Sequence, residues 1–249
     1  MKNKPLLSIT FFLFVLVLWQ VVFTAGIHDH LIIPSPFSTF KSLLDIITKY
    51  EYLFAIFSTT ARVLASFTIS AIVGISLGIL LGRYLLLDKL TESFVDFLRS
   101  IPSITLFPVF ILFFGISETS RLLVAIFIGL PIVLVSTKYG VLHSSEKRVK
   151  MAKLYKLSGI ETLRKITLPE AGPYIFNGLR IALSLTIILV IVTEMMVGTN
   201  TGLGTLLIHS QYSFDTEVIY AVIILLGIIG FSLNQCFIFL EKRFFHWKQ

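Results

Sequence analysis

Charge is what this chain has least of. Asp, Glu, Lys and Arg make up 14% of its 249 residues, apolar residues 55%, and the mean hydropathy is +0.90. A soluble domain of this size carries about 25% charged residues, so water cannot be the solvent for most of this surface. Thiols are scarcer still. Cys236 stands alone in an apolar run, which excludes a disulfide framework and a cysteine-pair metal site. The short alternating segments of a membrane barrel are missing too. So is the G-x-x-x-x-G-K-[ST] phosphate loop, and any ATP must be held by another chain. No His, Asp or Cys cluster at ligand spacing lies inside the apolar runs, which argues against a membrane enzyme. His28-Asp29-His30 is the nearest approach to a metal site, and two alternating histidines in a loop read as a hydrated turn; no metal is assigned. The net charge of +7 fits basic residues gathered on the cytoplasmic side of a membrane protein better than nucleic-acid binding.

What is present is a series of apolar runs, each long enough to cross a bilayer as a helix. They lie at about 6–25, 54–82, 97–114, 122–142, 174–197 and 218–240. The expected fold is therefore all-α: one polytopic helical bundle of about six transmembrane helices, occupying 1–249. The first run follows Lys2 and Lys4, a layout shared with signal peptides, but its length and the lack of a small-residue cleavage site favour a retained span. Pro34 and Pro36 break the chain, and apolar residues recur at helical spacing over 37–50, as in an amphipathic surface helix. In the second run Ser66, Ser70, Gly74, Gly78 and Gly82 recur every four residues, one small-residue face for close helix packing. The third run opens with Arg99 and Pro102 and contains Pro108; the prolines fit either a simple kink or a broken, path-lining helix. Six spans place both termini in the cytoplasm, with the basic residues of the termini, of the Arg83 link and of the central loop on that side. The Gly-rich link over 198–204 falls outside; no strand precedes it and it lacks the spacing of a dinucleotide loop.

Between the fourth and fifth runs lies the most polar long segment, 145–172, rich in lysine and arginine. Met151, Leu154, Tyr155 and Ser158 fall on one helical face. Ser158 and Glu161 have capping-box spacing around Gly159, so Ser158 ends one helix and begins another. Leu163 belongs to the apolar face of the second, and Pro169 is expected to stop it. The product is two short amphipathic helices at an angle, a cytoplasmic coupling loop whose apolar faces either pack on the spans or enter a groove on a soluble partner.

The loop's end, Ile166-Thr167-Leu168-Pro169, matches the I-x-L-P of the EAA loop of ABC-importer permeases. Its start departs from the family pattern: Lys150-Met151-Ala152 stands for E-A-A, and Lys156 stands at the Gly. Arg62-Val63-Leu64-Ala65, Arg99-Ser100-Ile101-Pro102, Leu112-Phe113-Phe114-Gly115, Thr193-Glu194-Met195 and Gly202-Leu203-Gly204 resemble the nitrate/sulfonate/taurine-type branch over about 50–245. The resemblance implies the permease subunit of an ATP-driven importer for a small anionic solute, or for a pyrimidine precursor of thiamine. It implies ABC ATPase subunits beneath the central loops, an extracytoplasmic substrate-binding protein and a second permease copy in the bacterial cytoplasmic membrane. It also implies no cofactor in this chain, ATP-Mg being bound by the ATPase. Within the spans Glu194 is either a functional intramembrane acid, or a helix-end residue hydrated near the outer surface or paired with Arg62. Arg62, Arg99, Pro102 and Glu194 are the candidates for the translocation path. The rival class is a gradient-driven secondary transporter, which needs paired intramembrane acids or unwound repeats.

Overall fold

The computed structural model describes residues 4–26, 32–144, 146–196 and 201–244, and all regular structure among them is helical. His28, Asp29 and His30 lie outside the described residues, as do positions 198–200 of the Gly-rich link. In chain order the helices are α1 (Lys4–Thr24), α2 (Pro36–Thr48), α3 (Tyr50–Arg83), α4 (Leu85–Ser100), α5 (Phe107–Phe114) and α6 (Glu118–Leu142). Then follow α7 (Glu146–Leu154), α8 (Gly159–Thr162), α9 (Leu168–Met196), α10 (Leu203–Tyr212) and α11 (Thr216–Phe244). A 3-10 turn over Ser103–Leu106 precedes α5, and a π-turn over Leu163–Thr167 joins α8 to α9.

Four helical stretches are long and apolar enough to cross a membrane: α3, α6, Gly159–Met196 and α11. A fifth arises if α4 and the Ser103–Phe114 pair are one broken span, bent by 87°. With the shorter apolar helix of Thr10–Thr24 in α1, this is roughly the six-span bundle expected. Of the two readings of the run over 97–114, the broken helix is the one observed, and the bounds of the run need correction. Residues 97–100 are the end of α4, the helix stops at Ile101, and α5 has only 8 residues, about 12 Å of helix. Pro102, which lacks a donor and biases Ile101 to extended angles, accounts for the stop. Ile101 has φ −75° and ψ 122°.

The chain's internal contacts divide it into two compact units, Met1–Ser58 with Gly198–Ile229, and Thr59–Val197 with Gly230–Gln249. In the first, Ser35 caps α2 by accepting from the Ser38 amide at 3.0 Å, and Pro36 follows at the first turn, where its missing N–H costs nothing. Thr39, Leu43 and Ile46 are the buried face of this helix. Trp19 Nε1 donates to the Pro34 carbonyl at 3.1 Å, and its ring stacks on Tyr220.

In the second unit α6 lies against both α3 and α9. A Cβ built on Gly74, Gly78 or Gly82 would stand 2.8, 2.5 or 2.7 Å from the Cβ of Val133, Thr137 or Val141. Two rows with a period of four therefore mesh, the small face of α3 against a row on α6. On the other side, Gly140 meets Ala171 and Tyr174, and Gly178 meets Ser136. Such backbone approach is how helices associate where lipid supplies no hydrophobic drive between them. Val124, Ala125, Val133, Ala171 and Ala182 are fully covered here. At one end Arg180 reaches Asn234 at 3.2 Å and Glu241 at 3.7 Å.

Gly78→Val is expected to lower stability by about 1–3 kcal/mol through overpacking, because the new methyls meet the Leu134 carbonyl and Thr137. Gly227→Ala, with open space at its Cβ, should leave it unchanged. Thermal unfolding of the two variants in mild detergent checks both.

Candidate functional site

Two regions of the second unit carry the predicted site residues. The first begins with Glu194 on α9, which is 0% exposed. A buried carboxylate stays ionised only if it is paired and hydrogen-bonded. Arg62 Nη1 on α3 meets its Oε1 at 2.7 Å, and Thr59 Oγ1, one turn earlier, lies 2.9 Å from both oxygens. Arg62 also turns its other edge to Glu118, the first residue of α6, with Nε to Oε2 and Nη2 to Oε1 both at 2.7 Å. Arg121 Nη1 reaches Glu118 Oε1 at 2.8 Å. Two guanidiniums and two carboxylates thus join α3, α6 and α9. Of the readings made for Glu194, the pairing with Arg62 is observed, and its burial rules out a hydrated helix end. Glu118, Arg121 and Thr59 were missed by sequence reasoning. Glu118 reads as a hydrated link residue, and only contact across 56 positions reveals it.

Arg99 and Pro102 lie elsewhere. Arg99 is half-exposed and paired with Asp96 at 3.3 Å. Together with Ile101, Ile128, Pro131 and Leu185 these two line a cavity of about 310 Å³. Ile128 stands ten residues along α6 from Glu118, about 15 Å, so the four path candidates form two separate places.

The second region is the 145–172 segment. The expected capping box is present: the Glu161 amide donates to Ser158 Oγ at 3.2 Å, and the Ser158 amide donates to Glu161 Oε2 at 2.9 Å. α7 ends as the Leu157 amide donates to the Ala152 carbonyl at 3.0 Å while Lys156 takes φ 53°. That is a left-handed helix stop, the place where glycine is favoured, and Lys156 is the residue that departs from glycine in the motif. Met151, Leu154 and Tyr155 stand in the open, Leu154 with 82% of its surface exposed. Ala152 is buried. Gly159 stands close to Arg83, a Cβ there falling 2.5 Å from Nη2.

Two expectations for the loop are corrected. Pro169 does not stop the second helix, and that helix is not separate. The path is helical from Gly159 to Met196, with Pro169 in the first turn of α9. The π-turn is the reason: the Leu168 amide reaches back five residues to Leu163, and this wider turn absorbs the proline ring and its missing donor. Leu163 is half-buried and lines a cavity of about 470 Å³ with Gly82, Arg83, Val141 and Thr167, so it faces inward instead of joining the exposed triplet.

A helical bundle without strands among the described residues, with at least four helices long and apolar enough to cross a membrane, has the build of an integral membrane protein. The chain belongs to the family of binding-protein-dependent transport system inner membrane components, whose model matches residues 74–246. A Bacillus subtilis protein named as an aliphatic sulfonates transport permease is 27% identical over 94% of this chain and 84% of its own length. The bicarbonate transport system permease of a Synechococcus elongatus strain is 27% identical over 91% and 84%. Among solved structures, an inward-facing form of the MetNI methionine ABC transporter aligns with a TM-score of 0.69 at 20% identity, over 78% of this chain and 96% of its own; that likeness shows the fold. The protein is a transport permease component of the ABC-importer type and not an enzyme.

Removing Arg62 strands the buried carboxylate of Glu194, while Glu118 keeps Arg121 and water. Arg62→Met should cost about 3–5 kcal/mol, and adding Glu194→Met should recover part of that loss, since the stranded charge dominates it. A double-mutant cycle on thermal stability reads this. Lys156→Gly, by contrast, should stabilise the loop by about 1 kcal/mol through relief of the left-handed angle, read the same way.

Proposed function

We propose that this permease moves a small anionic solute inward across a bacterial cytoplasmic membrane, with the 145–172 segment as the dock for an ATPase subunit. The observation that carries the reading is the exposed apolar triplet Met151, Leu154 and Tyr155, held beside a capped helix start that continues to Met196 without interruption. An apolar helical face in water needs a groove to enter. Ser158, Gly159 and Glu161 fix the angle of entry, while Leu163 and Pro169 anchor the same element to the bundle. Glu161 and Glu194 lie on one continuous helix 33 residues apart, about 50 Å. A push at the dock is therefore delivered to the Arg62–Glu194 cluster by a stiff element. ATP-Mg is bound by the partner, and closure of two ATPase subunits drives the swing. A second copy of the chain completes the path, a separate binding protein delivers solute from outside, and lipid surrounds the spans. Arg62, Glu194 and the Arg99–Pro102 cavity are the parts of the path in this chain. Both termini lie in the cytoplasm, because that orientation gathers the basic residues inside.

The relatives support the anionic class, being named for sulfonates and for bicarbonate. These ligands share little besides small size and negative charge.

Tagged chain drawn from its native membranes in mild detergent should bring an ATPase subunit with it. Leu154→Glu, a change at an exposed position, should abolish that recovery and uptake while leaving the unfolding midpoint unchanged. Full ATPase recovery and uptake in the variant would remove the dock from this segment.

A further inference from the structure

The arginine cluster is built unlike a purely structural ion pair. Three donors converge on the Glu118 carboxylate: Arg62 Nε and Nη2, each at 2.7 Å, and Arg121 Nη1 at 2.8 Å. Both arginines are buried, Arg121 to 6% exposure, and the buried Nε of Arg121 has no hydrogen-bond partner. Buried polar groups are ordinarily satisfied, and one that is not calls for an explanation. The acceptor is the opposite. Glu118 has a 56% exposed side chain and begins α6 directly after its cap Ser117, where no preceding helical turn restrains it. The donors are fixed and dry; the acceptor is wet and free to turn away.

We propose that Glu118 is a tethered placeholder in an anion site, and that a small oxyanion enters by displacing its carboxylate from the Arg62–Arg121 fork. A carboxylate, nitrate, bicarbonate and a sulfonate all present paired oxygens to a guanidinium edge, so the fork that holds Glu118 suits each of them. The exchange also conserves charge. Two guanidiniums and two carboxylates are neutral together; once Glu118 turns to water, one positive charge is left uncompensated beside Glu194, and a monovalent anion restores the balance. A neutral or cationic solute gains nothing by entering. The orphaned Arg121 Nε is a further donor for the incoming anion. This rests on the permease reading above, and it supplies the reason that path would select anions.

The test uses the full chain in lipid nanodiscs, titrated with sodium nitrate or sodium methanesulfonate at constant ionic strength against chloride, which has no paired oxygens to offer a guanidinium edge. In Glu118→Gln the small anions should raise the unfolding midpoint saturably, by ~3 °C or more when well above their dissociation constant. The wild type should respond less, because its own carboxylate competes, and Glu118→Gln/Arg121→Leu should not respond. Carbodiimide labelling of Glu118 in the unmutated protein, read by mass spectrometry, needs no variant to fold: nitrate should raise its rate severalfold as the carboxylate is released. Equal midpoints with nitrate and chloride in Glu118→Gln, an undiminished response in the double variant, or labelling indifferent to nitrate would each overturn the placeholder. ATPase co-purification judges the permease reading separately, so the two can fail independently.

Discussion

A carboxylate with no exposed surface, in the middle of an apolar bundle, is the constraint from which the rest follows. Glu194 is tolerated only where Arg62 and Thr59 reach it, and both of those lie on α3. Arg62 in turn is held by Glu118 at the start of α6. The three helices must keep register over one turn for the set of bonds to close. That register is supplied by packing: the period-four glycines of α3 on the Val133–Thr137–Val141 row, and Gly140 and Gly178 at the α6–α9 contact. Close packing positions the charges, and the charges penalise any slip of the packing.

The same helix that carries Glu194 begins at the capped turn beside the exposed triplet. A π-turn lets it pass Pro169 without breaking. Cap, wide turn and long helix make one element with a water-exposed start and a dry, charged far end. An inward-facing methionine ABC transporter shares this fold.

Much of this was legible in the chain. Composition and run length are consequences of solvent, so the helical membrane bundle was readable directly. The small face of α3 and the Ser158–Glu161 box were readable because both depend on residues a few positions apart. Glu194 and Arg62 were readable as suspects, since charge in an apolar run must be answered. The misses share a cause. Glu118, Arg121 and Thr59 act through residues far away in sequence, and nothing local marks them. The break at Ile101 was one of the two readings the prolines allowed, and what stayed hidden was that α4 begins as far back as Leu85. α10 grows out of a Gly-rich link whose Gly202 takes φ 146° and whose burial of Leu203, Gly204 and Thr205 is a tertiary effect. Pro169 followed the general rule against proline within helices, and a local change of helix type defeated it.

The central claim is that the dock and the charge cluster belong to one rigid element. In a Cys236→Ser background, spin labels at Ile160→Cys and Ile188→Cys, both exposed positions on the Gly159–Met196 helix, report its length in the nucleotide-free and ATP-bound complex. The account predicts one interlabel distance, unchanged between the two states, while a label pair from Ile160→Cys to Leu90→Cys on α4 changes. An Ile160–Ile188 distance that shifts with nucleotide would mean that the π-turn is a hinge, and the lever would be lost.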